Sequence, residues 1–477
     1  MAICVGSGCI TSIVSRMKGV SMILLSKIKD VFNVEPVTSA KMDLGVINAV
    51  NAYKGIPDWI DNEEEIKTIN FAKVLCSEIA RLTMMGTKIT VDGSAKAEWL
   101  QSVIDKIYFS IREWVEYGCA YGTIIMKPSQ DGVDLFTPDN YVITEYNGQS
   151  ITGIVFVYRK KEDNKYYTRF EYHHYIDKDN YTVMNRCFVG ESYNSVSEPI
   201  DIALTPWNGL KEDANIQGMD MPAYGVFRTP QANNIDINSA VGLPIFHEAM
   251  EELKDLDIAY SRNAEEIEDS RRTLLLDSDK MIQAGTRISD NQKNFESNRK
   301  LMKLPKFVKN VFGNGKDDFY QEINPDLNTE VRLIGINAIL GQIGYKVGFS
   351  NGHFVFNENS GIQTATEVEA NQQRTIQFIK DVRDRLESCL DGVINGLNMF
   401  ANLYGLAPAG DYEVIYDFGD ITYNYEEEKS RWWGYVVAGK MPLWRYYVKF
   451  EGMSEEEAKE IEKEMQPKQP TLFGSEE

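Results

Sequence analysis

The order of apolar positions is clearest between residues 328 and 404, where it predicts a helix, a polar loop and a second, much longer helix. In the second helix Ile379, Val382, Leu386, Leu390, Val393, Leu397 and Phe400 recur at steps of three and four, which places them on one face. Thr364-Ala365-Thr366-Glu367 marks its start, because a threonine hydroxyl can accept an orphan amide hydrogen while a glutamate three residues on reaches back to the cap. Gly392 and Gly396 sit beside the stripe one turn apart, where they permit either a kink or a close crossing. In the preceding helix Leu333, Ile336, Leu340, Ile343 and Val347 share a face, and Gly335, Gly341, Gly344 and Gly348 point to close neighbours. The segment 349–363 between them is too polar for a buried core and too rich in Phe for a simple linker.

Earlier in the chain the helical period predicts helices over 59–85 and 95–117. The second carries Leu100, Val103, Ile104, Ile107, Ile111, Trp114 and Val115 on one stripe, with Gly118 and Gly122 expected to end it. From Thr123 to Val189 the period becomes two. Ile124, Met126, Val133, Leu135, Val142, Ile151, Ile154, Phe156 and Tyr158, then 166–175 and 181–188, predict short antiparallel strands with turns at Asp131-Gly132, Asn147-Gly148 and 177–180. The helical period returns from Gly242, with Phe246, Met250, Leu253, Leu256 and Ile267 set among Glu248, Glu251, Glu252, Asp255, Asp257, Glu265, Glu266, Glu268 and Asp269. This predicts a helix with a strongly acidic exposed side. Leu274-Leu275-Leu276 reads as a strand.

Composition adds limits to this picture. At 477 residues, with 43% hydrophobic and 25% charged residues, the chain can bury a large core in more than one substructure. A formal charge of −21 argues against holding DNA or an anionic membrane over a broad face, since such binding needs clustered Lys and Arg. Against that background the stretch 297–316 reverses sign, with Arg299, Lys300, Lys303, Lys306, Lys309 and Lys316 and no acid, as a docking patch would. Residues 1–25 are mildly apolar, but Arg16 and Lys18 interrupt them and no run approaches the roughly 18 apolar residues of a membrane span. The basic residues follow the first apolar cluster, which is not the order of a secretory signal. A more natural amphipathic start lies at Met22, and the residues before it are expected to be a flexible extension or an over-long reading frame. Six scattered cysteines without zinc or redox spacing read as reduced thiols.

Catalytic patterns fail one by one. Gly313-Asn314-Gly315-Lys316 lacks the first glycine of a phosphate loop. Asp417-Phe418-Gly419 has no accompanying His-Arg-Asp loop, and His247-Glu248 lacks the second histidine of a zinc hydrolase. The adjacent His173 and His174 would point to opposite faces of a strand, which disfavours a shared metal. With four histidines and none in a motif, the sequence predicts neither an enzyme nor a cofactor.

The order of parts resembles the portal proteins of tailed double-stranded DNA bacteriophages, of the type found in long-tailed phages of Gram-positive bacteria. The resembling residues are Leu243-Pro-Ile-Phe-His-Glu-Ala-Met250, then Ala259-Tyr-Ser-Arg-Asn-Ala-Glu-Glu-Ile-Glu268 leading into 274–276, and Gln363-Thr-Ala-Thr-Glu-Val-Glu369. Tyr416-Asp-Phe-Gly-Asp420, Glu426-Glu-Glu-Lys-Ser430 and Val437-Ala-Gly-Lys-Met-Pro442 add to them.

That resemblance implies an α+β portal fold with an N-terminal arm (1–58), a wing of helices and antiparallel strands (59–244) and a first stem helix (245–272). A clip (273–327), a second stem helix (328–347), a tunnel loop (348–363), a long helix (364–404), a helical crown (405–466) and a disordered tail (467–477) would follow. It further implies a dodecameric ring at one capsid vertex through which double-stranded DNA is packaged and ejected. The implied partners are the terminase large subunit, major capsid and scaffolding proteins and a head-completion adaptor, with no membrane. On this reading Phe349, Asn351, His353, Phe354, Asn357, Asn359 and Gln363 face the DNA channel, and the basic residues of 299–316 dock partners at the clip. Ile379, Val382, Leu386, Leu390 and Val393 are expected to pack partly across the subunit boundary. Another structural head component, or a nucleic-acid enzyme with a dispersed site, remain alternatives that the mass of the particle in solution separates.

Overall fold

In the computed structural model the change of period from helix to strand falls where the sequence places it. The structure describes residues 24–60, 66–129, 132–193, 195–269, 273–277, 308–311, 320–323, 329–355, 365–419, 425–451 and 453–465. The expectations for 1–21 and 467–477 lie outside these residues.

Helix α1 (24–32) is followed by α2 (Ala40–Tyr53), which Ser39 caps by accepting from Met42 N at 3.1 Å. Helix α3 (Phe71–Met84) starts twelve residues later than the apolar pattern predicts. Strand β1 (Lys88–Asp92) leads to α4 (Ala95–Tyr121). Here Gly118 does not end the helix: it lies within α4, where a Cβ would collide with the Phe227 ring, so the missing side chain serves packing. Gly122, at φ 81°, is the true cap.

Strands β2 (Thr123–Ser129), β3 (Gly132–Phe136), β4 (Tyr141–Asn147), β5 (Ser150–Glu162), β6 (Lys165–Asp177), β7 (Asn180–Gly190), β8 (Glu198–Ile200), β9 (Asp213–Ile216) and β10 (Gly225–Arg228) form two sheets. One runs β10-β2-β3; the other runs β4-β5-β6-β7-β8, with β9 also paired to β7. The β5–β6 turn escaped the sequence reading. Asp163 and Asn164 take φ of 46° and 60°, the two left-handed positions of a type I′ hairpin, which short polar side chains tolerate. The two sheets share a core that includes Ile125, Phe136, Tyr141, Ile154, Phe156 and Tyr224. On the other face of the larger sheet, Leu24 and Ile28 of α1 pack with Val155, Val157, Phe170, Tyr172 and Phe188.

Helix α5 (Met250–Asp269) begins eight residues after Gly242, following one 3-10 turn, His247–Ala249. Then come β11 (Thr273–Asp277), β12 (Val308–Val311), β13 (Tyr320–Ile323), α6 (Thr329–Val347), α7 (Ala365–Tyr404) and β14 (Glu413–Asp417). β14 pairs with β1. The stripe of α7 is buried as its spacing predicts, but inside this chain, against α3 and strands β2 and β10. Ile379, Val382, Leu386, Leu390 and Val393 have no exposed surface left, so the expectation that they pack across a subunit boundary is corrected. The strands of 123–228 already cover that face. Arg383, also buried, donates from Nε to Thr83 O at 3.0 Å and from Nη2 to Leu82 O at 3.1 Å, at the carbonyl end of α3.

The chain divides into two units, 1–84 with 89–416 and 85–88 with 417–477. In the smaller unit, helices α8 (Tyr425–Val437), α9 (Leu443–Phe450) and α10 (Glu455–Met465) gather around aromatic contacts: Trp432 meets Phe450 at 5.6 Å between ring centres, and Trp433 meets Tyr446 at 5.2 Å. Asp417-Phe418-Gly419 is structural there. Gly419 N donates to Gly86 O at 3.2 Å, and a Cβ on either glycine would press on the other's backbone.

Candidate channel and assembly elements

Helices α5 and α6 form an antiparallel pair, as their ion pairs require. Arg332 near the start of α6 bonds Glu266 near the end of α5, while Lys346 at the end of α6 reaches Glu252 at 2.5 Å and Glu248 O at 2.9 Å. Leu253 and Leu256 of α5 and Leu340, Ile343 and Val347 of α6 are buried. Val331 and Ile334 are each 69% exposed and Ile267 50%, apolar surface that a free helix pair leaves in water.

The acids of α5 do not all face outward. Asp257 is buried, accepting from Trp59 Nε1 and from Ile69 N, both at 2.9 Å, and one turn on Ser261 Oγ accepts from Lys67 N at 2.8 Å. These bonds tie residues 59 and 67–69 to α5, which explains why the described residues just before α3 are not helical. Of the glycines of α6, Gly335 has open space around it among the described residues, so the expected close neighbour is not found there.

In chain order the two helices are separated by a three-stranded sheet, β12-β11-β13, in which β11 runs parallel to β12 and antiparallel to β13. The expected strand at Leu274–Leu276 is its centre. Lys309 lies on β12 opposite Leu275. Arg299, Lys300, Lys303, Lys306 and Lys316 lie outside the described residues.

The loop after α6 is only partly the open polar segment the sequence suggests. Gly348 turns the chain at φ 125°, where a Cβ would strike the Phe378 ring. Phe349 is fully buried, its ring 4.7 Å from those of His353 and Phe354 and 5.7 Å from that of Phe378. Phe354 meets Phe71 of α3 edge-on at 5.2 Å. Ser350 N donates to Thr375 Oγ1 at 2.8 Å, which closes the turn onto α7. Phe349 is therefore a core residue and not a channel-facing one, because an aromatic ring of this size finds more apolar contact against α3 and α7 than in water, whereas Phe354 stays half-buried. His353 lies 3.4 Å from Glu78, whose carboxyl the Arg81 hydrogen bonds hold below its ordinary range against the effect of burial, with His353 adding to the pull. Asn351 is exposed. Asn357, Asn359 and Gln363 lie outside the described residues.

One cluster escaped the sequence reading altogether. Glu171 of β6 is buried and receives Lys127 at 2.9 Å, Arg169 at 2.8 Å and His173 at 2.7 Å. Burial alone would raise its carboxyl, but Lys127, His173 and Arg169 together hold it well below the ordinary range. The signal was present: Arg169, Glu171 and His173 alternate along one face of a strand, which is unusual in a buried sheet. His174 points the other way, to Glu145 at 3.0 Å, as strand alternation dictates.

The four described cysteines are free and buried, and no group of metal-ligating residues occurs among the described residues. No described helix is long and apolar enough to cross a membrane. These features define a mixed helix-and-sheet protein with a paired-helix element and a long packed helix. The chain belongs to a phage portal family: the family described as "Phage portal protein, SPP1 Gp6-like" matches residues 61–471. A search of curated proteins finds no significant match. The portal resemblance read from the sequence is thus borne out at the level of the family.

Proposed function

We propose that this chain is the subunit of a dodecameric ring at one capsid vertex, the passage through which double-stranded DNA is packaged and later ejected. The observation that carries this reading is the antiparallel pair α5/α6 with its exposed Val331, Ile334 and Ile267, in a chain whose family match spans 61–471. A head-to-tail ring gives such surface a partner on the next subunit. On this reading 59–244 is the wing, 245–272 and 328–347 are the stem helices, 273–327 is the clip, 348–363 the tunnel loop and 405–466 the crown.

The wall of a DNA channel must repel phosphate or let it slide, and the formal charge of −21 suits that task. Within the loop the DNA-facing set reduces to Asn351, His353 and the half-buried Phe354 with Asn357, Asn359 and Gln363. The terminase large subunit, followed by a head-completion adaptor, docks at the clip through Arg299, Lys300, Lys303, Lys306, Lys309 and Lys316. Capsid and scaffolding proteins surround the ring, which assembles in the host cytoplasm and remains in the virion.

Native mass spectrometry with electron microscopy of the purified protein tests this. Closed rings of one stoichiometry are expected, and a monomer at every concentration would overturn the reading. Changing Lys303, Lys306 and Lys309 together to Glu is expected to leave rings intact while weakening motor binding in a salt-dependent way; unchanged binding removes the clip assignment alone.

A further inference from the structure

The hydrogen-bonded chain Glu171–His173–Tyr181 ends on a backbone amide that is itself part of the seat of the long helix. His173 Nε2 lies 2.7 Å from Glu171 Oε1, and Nδ1 lies 2.5 Å from the Tyr181 hydroxyl. That hydroxyl accepts from Ala223 N at 3.2 Å. The next residues carry the closest backbone contacts onto α7. A Cβ on Gly392 would stand 2.6 Å from Tyr224 O, and one on Gly396 2.8 Å from Ala223 O.

We propose that this chain is a proton-ordered latch that seats segment 223–225 on α7 and is released when His173 takes up a proton. The directions of the bonds follow from chemistry. Glu171 is ionised and accepts only, so His173 Nε2 carries the hydrogen toward it. The neutral ring then offers a lone pair at Nδ1, to which Tyr181 O–H donates, leaving the phenol oxygen free to accept from Ala223 N–H. His173 and Tyr181 each fill one donor and one acceptor role, between a carboxylate that only accepts and a backbone amide that only donates.

A proton arriving from solvent at Nδ1 undoes this order. The imidazolium N–H and the Ala223 N–H then both face one phenol oxygen, while the hydroxyl hydrogen loses its acceptor in a buried site. The new charge also meets Lys127 of β2 and Arg169 of β6, with Glu171 already shared among three partners. Tyr158 of β5, Asp134 of β3 and Tyr224, just before β10, complete the ionisable surroundings. Burial holds the His173 ring below its ordinary range, against the pull of Glu171. Its folded value being depressed, the unfolded chain takes up protons first, so protection of the contact is complete above about pH 6.5 and declines as pH falls below it.

Hydrogen exchange on the full chain tests the latch. Between pH 7 and pH 5, after correction for intrinsic rates, exchange over 223–228 and 389–397 is expected to rise about tenfold or more in the wild type. In His173→Gln, whose amide donates to Glu171 and accepts from Tyr181 without titrating, the rise is expected to vanish. Equal rises in both proteins would overturn the proposal. His247, which burial also holds low, is changed to Gln as a control and is expected to leave the rise intact; loss of the rise in that variant alone would overturn it too. Should His173→Gln not fold, nitrogen-15 spectra of the wild-type ring decide: the Nε2–H tautomer at pH 7 supports the latch, and the Nδ1–H tautomer overturns it.

Discussion

Gly225 of β10 and Gly392 of α7 meet backbone to backbone: a Cβ on Gly392 would lie 2.9 Å from the Cα of Gly225, and one on Gly225 would collide with Cys389 O. Alanine in place of glycine favours an isolated helix by about 1 kcal/mol. At Gly392 the opposite is expected, because the added methyl must push a whole strand away. Gly392→Ala is expected to cost about 1–3 kcal/mol, read as a lower urea midpoint. A raised midpoint would show that the strand can give way freely.

Leu386 has no exposed surface within the single chain. Replacing it with Asp places a carboxylate among apolar side chains, at an expected cost of about 3–5 kcal/mol even if the group stays protonated. Circular dichroism is expected to show a lower melting temperature at every protein concentration. Unchanged melting with loss of large particles in light scattering would instead return the stripe to a subunit contact.

Asp257 holds Trp59 Nε1 and Ile69 N at once. Asp257→Ala leaves both donors without their acceptor, for an expected loss of about 1–3 kcal/mol. The indole reports it directly: tryptophan emission is expected to shift to the red as the segment 59–69 loosens. An unshifted spectrum with unchanged stability would mean that water replaces the carboxylate without cost.

Glu171 sits among Lys127, Arg169 and His173 with its carboxyl held well below the ordinary range. A depressed folded value means the contribution is complete above about pH 4.3 and is lost as pH falls through the folded value. Glu171→Gln is expected to destabilise by about 3–5 kcal/mol at pH 7, since two buried cations lose their counter-charge. The gap to the wild type should narrow as acid protonates the wild-type carboxyl. A gap constant from pH 7 to pH 2 would mean that packing, not charge, sets the cost.

The sequence by itself determined the order and type of the main elements, because period is a local property. A step of three or four made α7 legible from Ile379 to Leu397, and a step of two made β5 to β7 legible. The opposite faces of His173 and His174 followed from the same pleat. Tertiary structure decided what each face meets, since burial depends on partners distant in the chain. The stripe of α7 could have served a neighbouring subunit equally well on spacing alone; strands β2 and β10 occupy it instead. Gly118 read as a stop, and Gly392 and Gly396 as either a kink or a close crossing, in one dimension; Phe227, Tyr224 O and Ala223 O make all three points of contact. Phe349 looked like a loop residue among Asn and Gly, until α7 supplied the Phe378 ring that helps bury it, while Phe354 gains an edge contact with Phe71 of α3. Asp257 is indistinguishable in sequence from its solvated acidic neighbours, and only the donors of Trp59 and Ile69, nearly two hundred residues away, draw it inside.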